Sequence, residues 1–128
     1  MLCVVASGWW ILLGASFISI GFGLWVLAER TADGRIAKNS YAGIRLPSTL
    51  KSDKAWIAGH RAARVDIQVG ATIMAITGAC VAVTASNNEL ALLAVWVGTP
   101  LFSGAFFMSI YTANKAAKKC GPSSDAKK

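Results

Sequence analysis

The stretch LALLAVWVGTPLFSGAFFMSIYTAN, residues 90–114, contains no Asp, Glu, Lys, Arg or His. A helix rises about 1.5 Å per residue and the hydrocarbon core of a bilayer is about 30 Å thick. These 25 residues are therefore long enough and apolar enough to cross a membrane as one helix. Two further stretches share the property. Residues 67–88 and residues 1–28 also lack Asp, Glu, Lys and Arg, and the three blocks together hold 75 of the 128 residues.

The remaining composition points the same way. Hydrophobic residues make up 55% of the chain, charged residues only 15%, and the mean hydropathy is +0.51. A soluble domain usually carries about 25% charged residues, so a water-soluble globular domain is excluded. The expected fold class is all-α integral membrane. Three transmembrane helices, 1–28, 67–88 and 90–114, are joined by an ordered cytoplasmic loop over 29–66 that includes an amphipathic helix. A basic, disordered cytoplasmic tail follows over 115–128.

The net charge is +7, and its placement decides what it means. Residues 29–66 carry +4, the link between the second and third spans carries only Glu89, and residues 115–128 carry +4. Basic segments thus alternate across successive spans, as the positive-inside rule requires. The charge is accounted for by membrane topology, and no nucleic-acid partner is expected. The N-terminus is expected outside and the C-terminus in the cytoplasm. Because it lacks a basic leading region and is far longer than a signal-peptide core, the first stretch is read as a retained helix.

One His and three widely separated cysteines, Cys3, Cys80 and Cys120, offer no clustered ligand set, so neither metal nor cofactor is expected. Cys80 lies within an apolar span, where a thiol acts as a small hydrophobe. Cys3 and Cys120 belong near opposite membrane faces and are not expected to pair. No span carries an ionisable side chain of the kind that proton relays use. Gln68, Thr72, Thr77 and Asn114 are their strongest polar groups.

Small residues mark where helices are expected to approach closely. In the second span these are Ala71, Ala75 and Ala79, with Gly70 and Gly78 nearby; in the third, Ala94, Gly98 and Gly104. Pro100 is expected to kink the third span. Ser86-Asn87-Asn88-Glu89 reads as a tight turn joining spans two and three into a hairpin. Trp9, Trp10, Trp25 and Trp96 lie toward the span ends, where aromatic rings anchor at the interface.

The loop is the least generic part of the chain. Gly43 gives backbone freedom, and Pro47 fixes its own φ while holding Leu46 extended, so Asn39–Leu50 reads as an ordered turn. Ser52 is suited to cap a helix and Asp53 to its first turn. From Asp53, the residues Trp56, His60, Ala63 and Ile67 share one face of a helix at 100° per residue, which predicts an amphipathic helix that meets or continues into the second span. Lys54 and Arg61 point the other way, toward water or lipid phosphates, and Arg64 lies at the edge.

The string Asn39…Gly43-Ile44-Arg45-x-Pro47-x-Thr49-Leu50…Asp53-x-x-Trp56…His60-Arg61 resembles the signature of the SdpI family of bacterial membrane proteins. In that family a helix precedes a loop of the form N-x-x-x-G-I-R-T-P-x-T-L, followed by W-x-x-x-H and further helices. The likeness covers about residues 38–63, and the three-span layout agrees with short members. Leu46 stands where the family usually has Thr. The resemblance implies a multi-pass protein of the bacterial plasma membrane. The family's founding member protects its producer from a secreted toxin and relays a signal by holding a repressor at the membrane.

Within the loop, Arg45 ranks first as a binding residue: its guanidinium can take a lipid phosphate, a carboxylate or loop carbonyls in bidentate fashion. Trp56 reads as an interfacial anchor or a docking residue, and His60 as a satisfied helix residue or a pH switch. Asn39, Gly43 and Pro47 shape the turn, while Thr49 and Arg61 complete the motif. Ser48 or Ser52 with His60 and Asp53 or Asp66 would supply the residue types of a hydrolase, but nothing in their spacing demands its geometry, and no enzyme is expected. The reading is a non-enzymatic membrane protein acting in immunity or signalling through its loop. The alternative is a small accessory subunit that stabilises or regulates a larger membrane complex; a membrane-embedded enzyme or carrier ranks third. Expected partners are membrane lipids and another membrane protein or a regulatory protein.

Overall fold

The computed structural model describes residues 2–39 and 41–120, with side chains from Gly8 onward. Among them are three helices: α1 (Leu2–Ala32), α2 (Asp53–Val83) and α3 (Asn88–Lys119). Each contains a segment long and apolar enough to cross a membrane, making this a multi-pass membrane protein. Helices are what such sequences must form, because lipid offers no partner to an unpaired backbone N–H or C=O. At about 1.5 Å per residue, helices of 31 or 32 residues are about 46–48 Å long, more than the bilayer core needs. The excess of α2 and α3 lies at the loop end.

That excess moves the bounds of two expected segments. Among the described residues the amphipathic helix expected within 29–66 is no separate element of the loop: from Asp53 onward it continues into the second span as one helix. No residue between Asp53 and Val83 breaks the helix, so the charged first half and the apolar second half share one axis. Lys115–Lys119 belong to α3 rather than to a disordered tail. The Gly121–Lys128 part of that expected tail, the side chain of Cys3, and Ser40 lie outside the described residues.

The caps are set locally. Ser52 Oγ accepts the Ala55 N–H at 3.1 Å, and Asn87 Oδ1 accepts the N–H groups of Glu89 and Leu90 at 3.1 and 3.2 Å. The turn between α2 and α3 therefore closes one or two residues earlier than its sequence suggests, since Asn87 acts as the cap and Asn88 and Glu89 are already helical. Trp10 Nε1–H donates to Asn88 Oδ1 at 2.8 Å and ties α1 to this end. Pro100 lies inside α3 without ending it.

α2 is the middle helix and packs against both others, while α1 and α3 scarcely meet. Its two contacts are spaced alike. A Cβ on Gly14 would lie 2.5 Å from the Gly78 carbonyl oxygen, and one on Gly21 would lie 2.7 Å from that of Ala71. On the other side, a Cβ on Gly98 would collide with the Thr77 side chain, and one on Gly70 would lie 3.3 Å from the Ala105 Cβ. Both pairs recur at seven residues, the spacing of shallow left-handed helix crossings. Adjacent positions on α2 thus serve opposite neighbours, 71 and 78 for α1, 70 and 77 for α3. Ala75 also meets Gly21 and Ala94 is half-buried, but Ala79 is exposed. Gly104 has open space where a Cβ would stand. The four-residue alanine spacing does not follow the contact; the seven-residue spacing does.

Candidate functional site

The charged residues of α2 (Asp53, Lys54, Arg61, Arg64 and Asp66) all lie in its first half, and the apolar run begins at Ile67. The first half of α2 therefore stands above the part that crosses the membrane, and the segment from Ala32 to Ser52 folds against it.

His60 is the centre of that fold. It is 1% exposed, and its Nε2 accepts the Ile44 backbone N–H at 2.8 Å. An acceptor nitrogen carries no proton, so the proton resides on Nδ1, which donates to the Trp56 carbonyl at 2.8 Å. The imidazole is neutral and both nitrogens are used. Trp56, also 1% exposed, lies with its ring centroid 4.1 Å from that of His60 and donates its indole N–H to the Ile36 carbonyl at 3.1 Å. Trp56 is thus neither an interfacial anchor nor an exposed docking residue. It is the floor on which the loop rests.

Gly43 makes the contact possible. Its φ is +101°, a conformation closed to most L side chains, and a Cβ there would lie 2.5 Å from His60 Nε2 and 3.0 Å from the Trp56 ring. Asn39 shapes the approach: its Oδ1 accepts the N–H groups of Tyr41 and Ala42, both at 2.8 Å, and its Nδ2 donates to the Ala37 carbonyl. On the far side of Gly43, the fully buried Thr49 hydroxyl accepts the Leu46 N–H at 2.9 Å and donates to the Ile44 carbonyl at 2.7 Å. Pro47 opens a turn closed by the Leu50 N–H donating to the Leu46 carbonyl at 2.9 Å. Proline suits that first position because no N–H is needed there.

The motif residues therefore divide by role. Asn39, Gly43, Thr49, Trp56 and His60 hold the loop's own shape. Arg45, Pro47 and Arg61 are exposed on its outside, together with Tyr41, Leu50, Lys51 and Lys54. Further cations, Lys118 and Lys119, stand at the same end on α3, leaving the loop end basic.

Several contributors were not apparent from the motif. Ser48 donates to Asn114 Oδ1 at 2.7 Å and fixes the loop to α3. Gly59 lets Thr49 approach, since a Cβ there would lie 2.9 Å from Thr49 Cγ2; a glycine inside a helix is the signal that marks it. Thr112 donates to Asp66 Oδ2 at 2.7 Å. Glu29 pairs with Arg64 at 3.0 Å and accepts from Gln68, locking α1 to α2 where the apolar region begins.

The buried imidazole makes the loop sensitive to acid. Burial lowers the His60 pKa from its ordinary 6.5, with the bond to the Trp56 carbonyl opposing in part. A lowered native pKa means that the unfolded chain takes up the proton first. The stability contributed by neutral His60 is complete above pH 6.5 and is lost as the pH falls from there toward the native value. Thermal unfolding in detergent should thus show an acid-side loss below that point. His60→Leu, which has no acceptor, should lower stability by about 1–3 kcal/mol at pH 8, through the part-buried Ile44 N–H left without its partner, and lack the acid-side step. A variant with an unchanged acid step would assign it to another group.

The SdpI/YfhL protein family matches residues 35–112, from the loop through most of α3, and the chain belongs to that family. No curated protein and no solved structure gave a match.

Proposed function

We propose that this SdpI/YfhL family member is a non-enzymatic membrane protein that acts in immunity or signalling through its loop, which faces the cytoplasm. The observation that carries the reading is the division of labour in the motif. His60, Trp56, Thr49 and Gly43 are spent on building a rigid cap, which leaves Arg45, Tyr41 and Lys51 on a preorganised, basic, solvent-facing surface. A surface held in shape before binding loses less entropy on meeting a partner. The one buried imidazole has both nitrogens engaged with backbone groups, and it has no Ser or Asp partner with which to run hydrolysis.

The test is a strain lacking the gene, challenged with spent medium from its toxin-producing parent. Loss of the gene should sensitise the cells, the intact chain should restore growth, and Arg45→Ala should fail to restore it at equal membrane abundance. Equal survival of the deleted strain would overturn immunity. Full rescue by Arg45→Ala would remove that side chain from the working surface.

A second reading, an accessory subunit of a larger membrane complex, has one observation in its favour. On membrane-crossing helices, Gly23 and Gly104 have open space where a Cβ would stand among the described residues, and Ala79 is exposed. It requires a membrane protein that co-purifies in fixed proportion from the same strains.

A further inference from the structure

Because α1 and α3 scarcely meet, a groove runs between them over α2. Beneath the motif loop it forms a cavity of about 340 Å³, within the range of about 300–1,000 Å³ usual for small-molecule sites. Leu24 and Leu27 of α1 and Phe102 and Phe106 of α3 form its walls, and Leu46 lines its loop end. A second cavity of about 210 Å³ lies deeper, reaching Phe17 and Thr77, and shares Phe102 with the first. From His60 to Thr77 the central helix rises about 25 Å. The two cavities thus mark a narrow apolar track from the loop toward the middle of the helices.

The track is charged at one end only. Arg45, His60 and Asp66 line the end beneath the loop. His60 is committed to backbone groups on both nitrogens. Asp66 keeps capacity for a ligand, since a carboxylate has about four acceptor sites, of which Thr112 takes one, and Arg45 brings a guanidinium to the same end of the cavity. Asp66 is also the last charged residue of α2 before the apolar run. It therefore stands at the level where the headgroups of the surrounding leaflet lie. Leu46 adds apolar surface to the same cavity.

We propose that this track is a binding site for an aminophospholipid of the surrounding leaflet. One acyl chain lies between α1 and α3, the phosphate meets Arg45 and the ammonium meets Asp66. The apolar track opens to a medium of acyl chains, and an acid and a base at one end match a headgroup that carries both charges. A phosphatidylglycerol headgroup or a fatty acid would place an anion beside Asp66 with no ammonium to offset it. The site shares Arg45 with the surface proposed for the loop's role, but its test changes Asp66 and Leu24 and reads lipid retention rather than protection, so the two readings can fail separately.

The experiment is native mass spectrometry of the full chain released from nanodiscs of equimolar phosphatidylethanolamine and phosphatidylglycerol. The chain should retain phosphatidylethanolamine over phosphatidylglycerol by about tenfold, the worth of one charge-assisted hydrogen bond. Asp66→Asn keeps an acceptor for Thr112 and should abolish the preference. Leu24→Trp fills the track from α1 and should remove the bound lipid altogether, with helix content by circular dichroism unchanged. Equal or greater retention of phosphatidylglycerol, a preference that survives Asp66→Asn, or a chain released free of lipid, alone or as a dimer, would each overturn the assignment. Should Leu24→Trp not fold, Asp66→Asn alone decides it.

Discussion

Gly43→Ala will detach the loop from α2 at a cost of about 2–6 kcal/mol. Two penalties combine. A non-glycine residue held at φ +101° stores about 1–3 kcal/mol, and a methyl group 2.5 Å from His60 Nε2 adds an overpacking cost of about 1–3 kcal/mol. Neither neighbour can yield cheaply, because the His60 ring is fixed at both nitrogens and lies against Trp56. The measurement is hydrogen exchange of the Ile44 amide, which should lose its protection while the amides of α2 beyond Ile67 keep theirs. Gly34→Ala supplies the control. Its φ is +75°, but a Cβ there meets only the flexible end of Ile57, at 3.3 Å, so the steric part of the penalty should be missing. Equal losses from the two variants would show that the fit of Gly43 against His60 is not what holds the loop.

The second large effect belongs to the helix contact. Gly78→Val will push α1 away from α2, because its Cβ would lie 2.5 Å from the Gly14 carbonyl oxygen and 2.8 Å from the Phe17 Cβ. Both helices present backbone at that point, and backbone cannot rotate aside. The expected loss is about 1–3 kcal/mol, or separation of α1 where the helices cannot bend. Reversible unfolding in mixed micelles measures it. Gly104→Val is the matched control, since nothing lies within 4 Å of its Cβ position and its stability should change little. If Gly104→Val proves as damaging as Gly78→Val, α3 has a close neighbour outside this chain.

The His60 environment shows where a motif stops being readable. Its spacing from Trp56 placed both on one helix face, and that is where they lie, yet the face is turned toward the loop rather than toward lipid or a partner. The difference arises from groups that a helical projection does not contain: the Ile36 carbonyl, the Ile44 amide and the missing Cβ of Gly43. All belong to a segment with no periodicity, so their meeting with α2 is a matter of chain closure. Thr49 illustrates the same point. Its hydroxyl does what two backbone groups of the loop require, and no pattern of neighbours announces it. Asp66, by contrast, had a local signal, as the last charge before an apolar run.

What the sequence determined by itself is what depends on single segments. Three uncharged stretches long enough for a bilayer specify three helices, because lipid leaves the backbone no other way to satisfy its hydrogen bonds. Ser52 caps its own helix through the Ala55 amide, and Asn39 folds its own turn, since their partners lie within three residues. The tertiary structure alone decided that α2 is central, that its small residues are shared between two neighbours at seven-residue spacing, and that a groove remains between α1 and α3. These outcomes rest on which side chains interlock between distant segments, and a lipid environment makes every apolar face equally acceptable until shape selects among them.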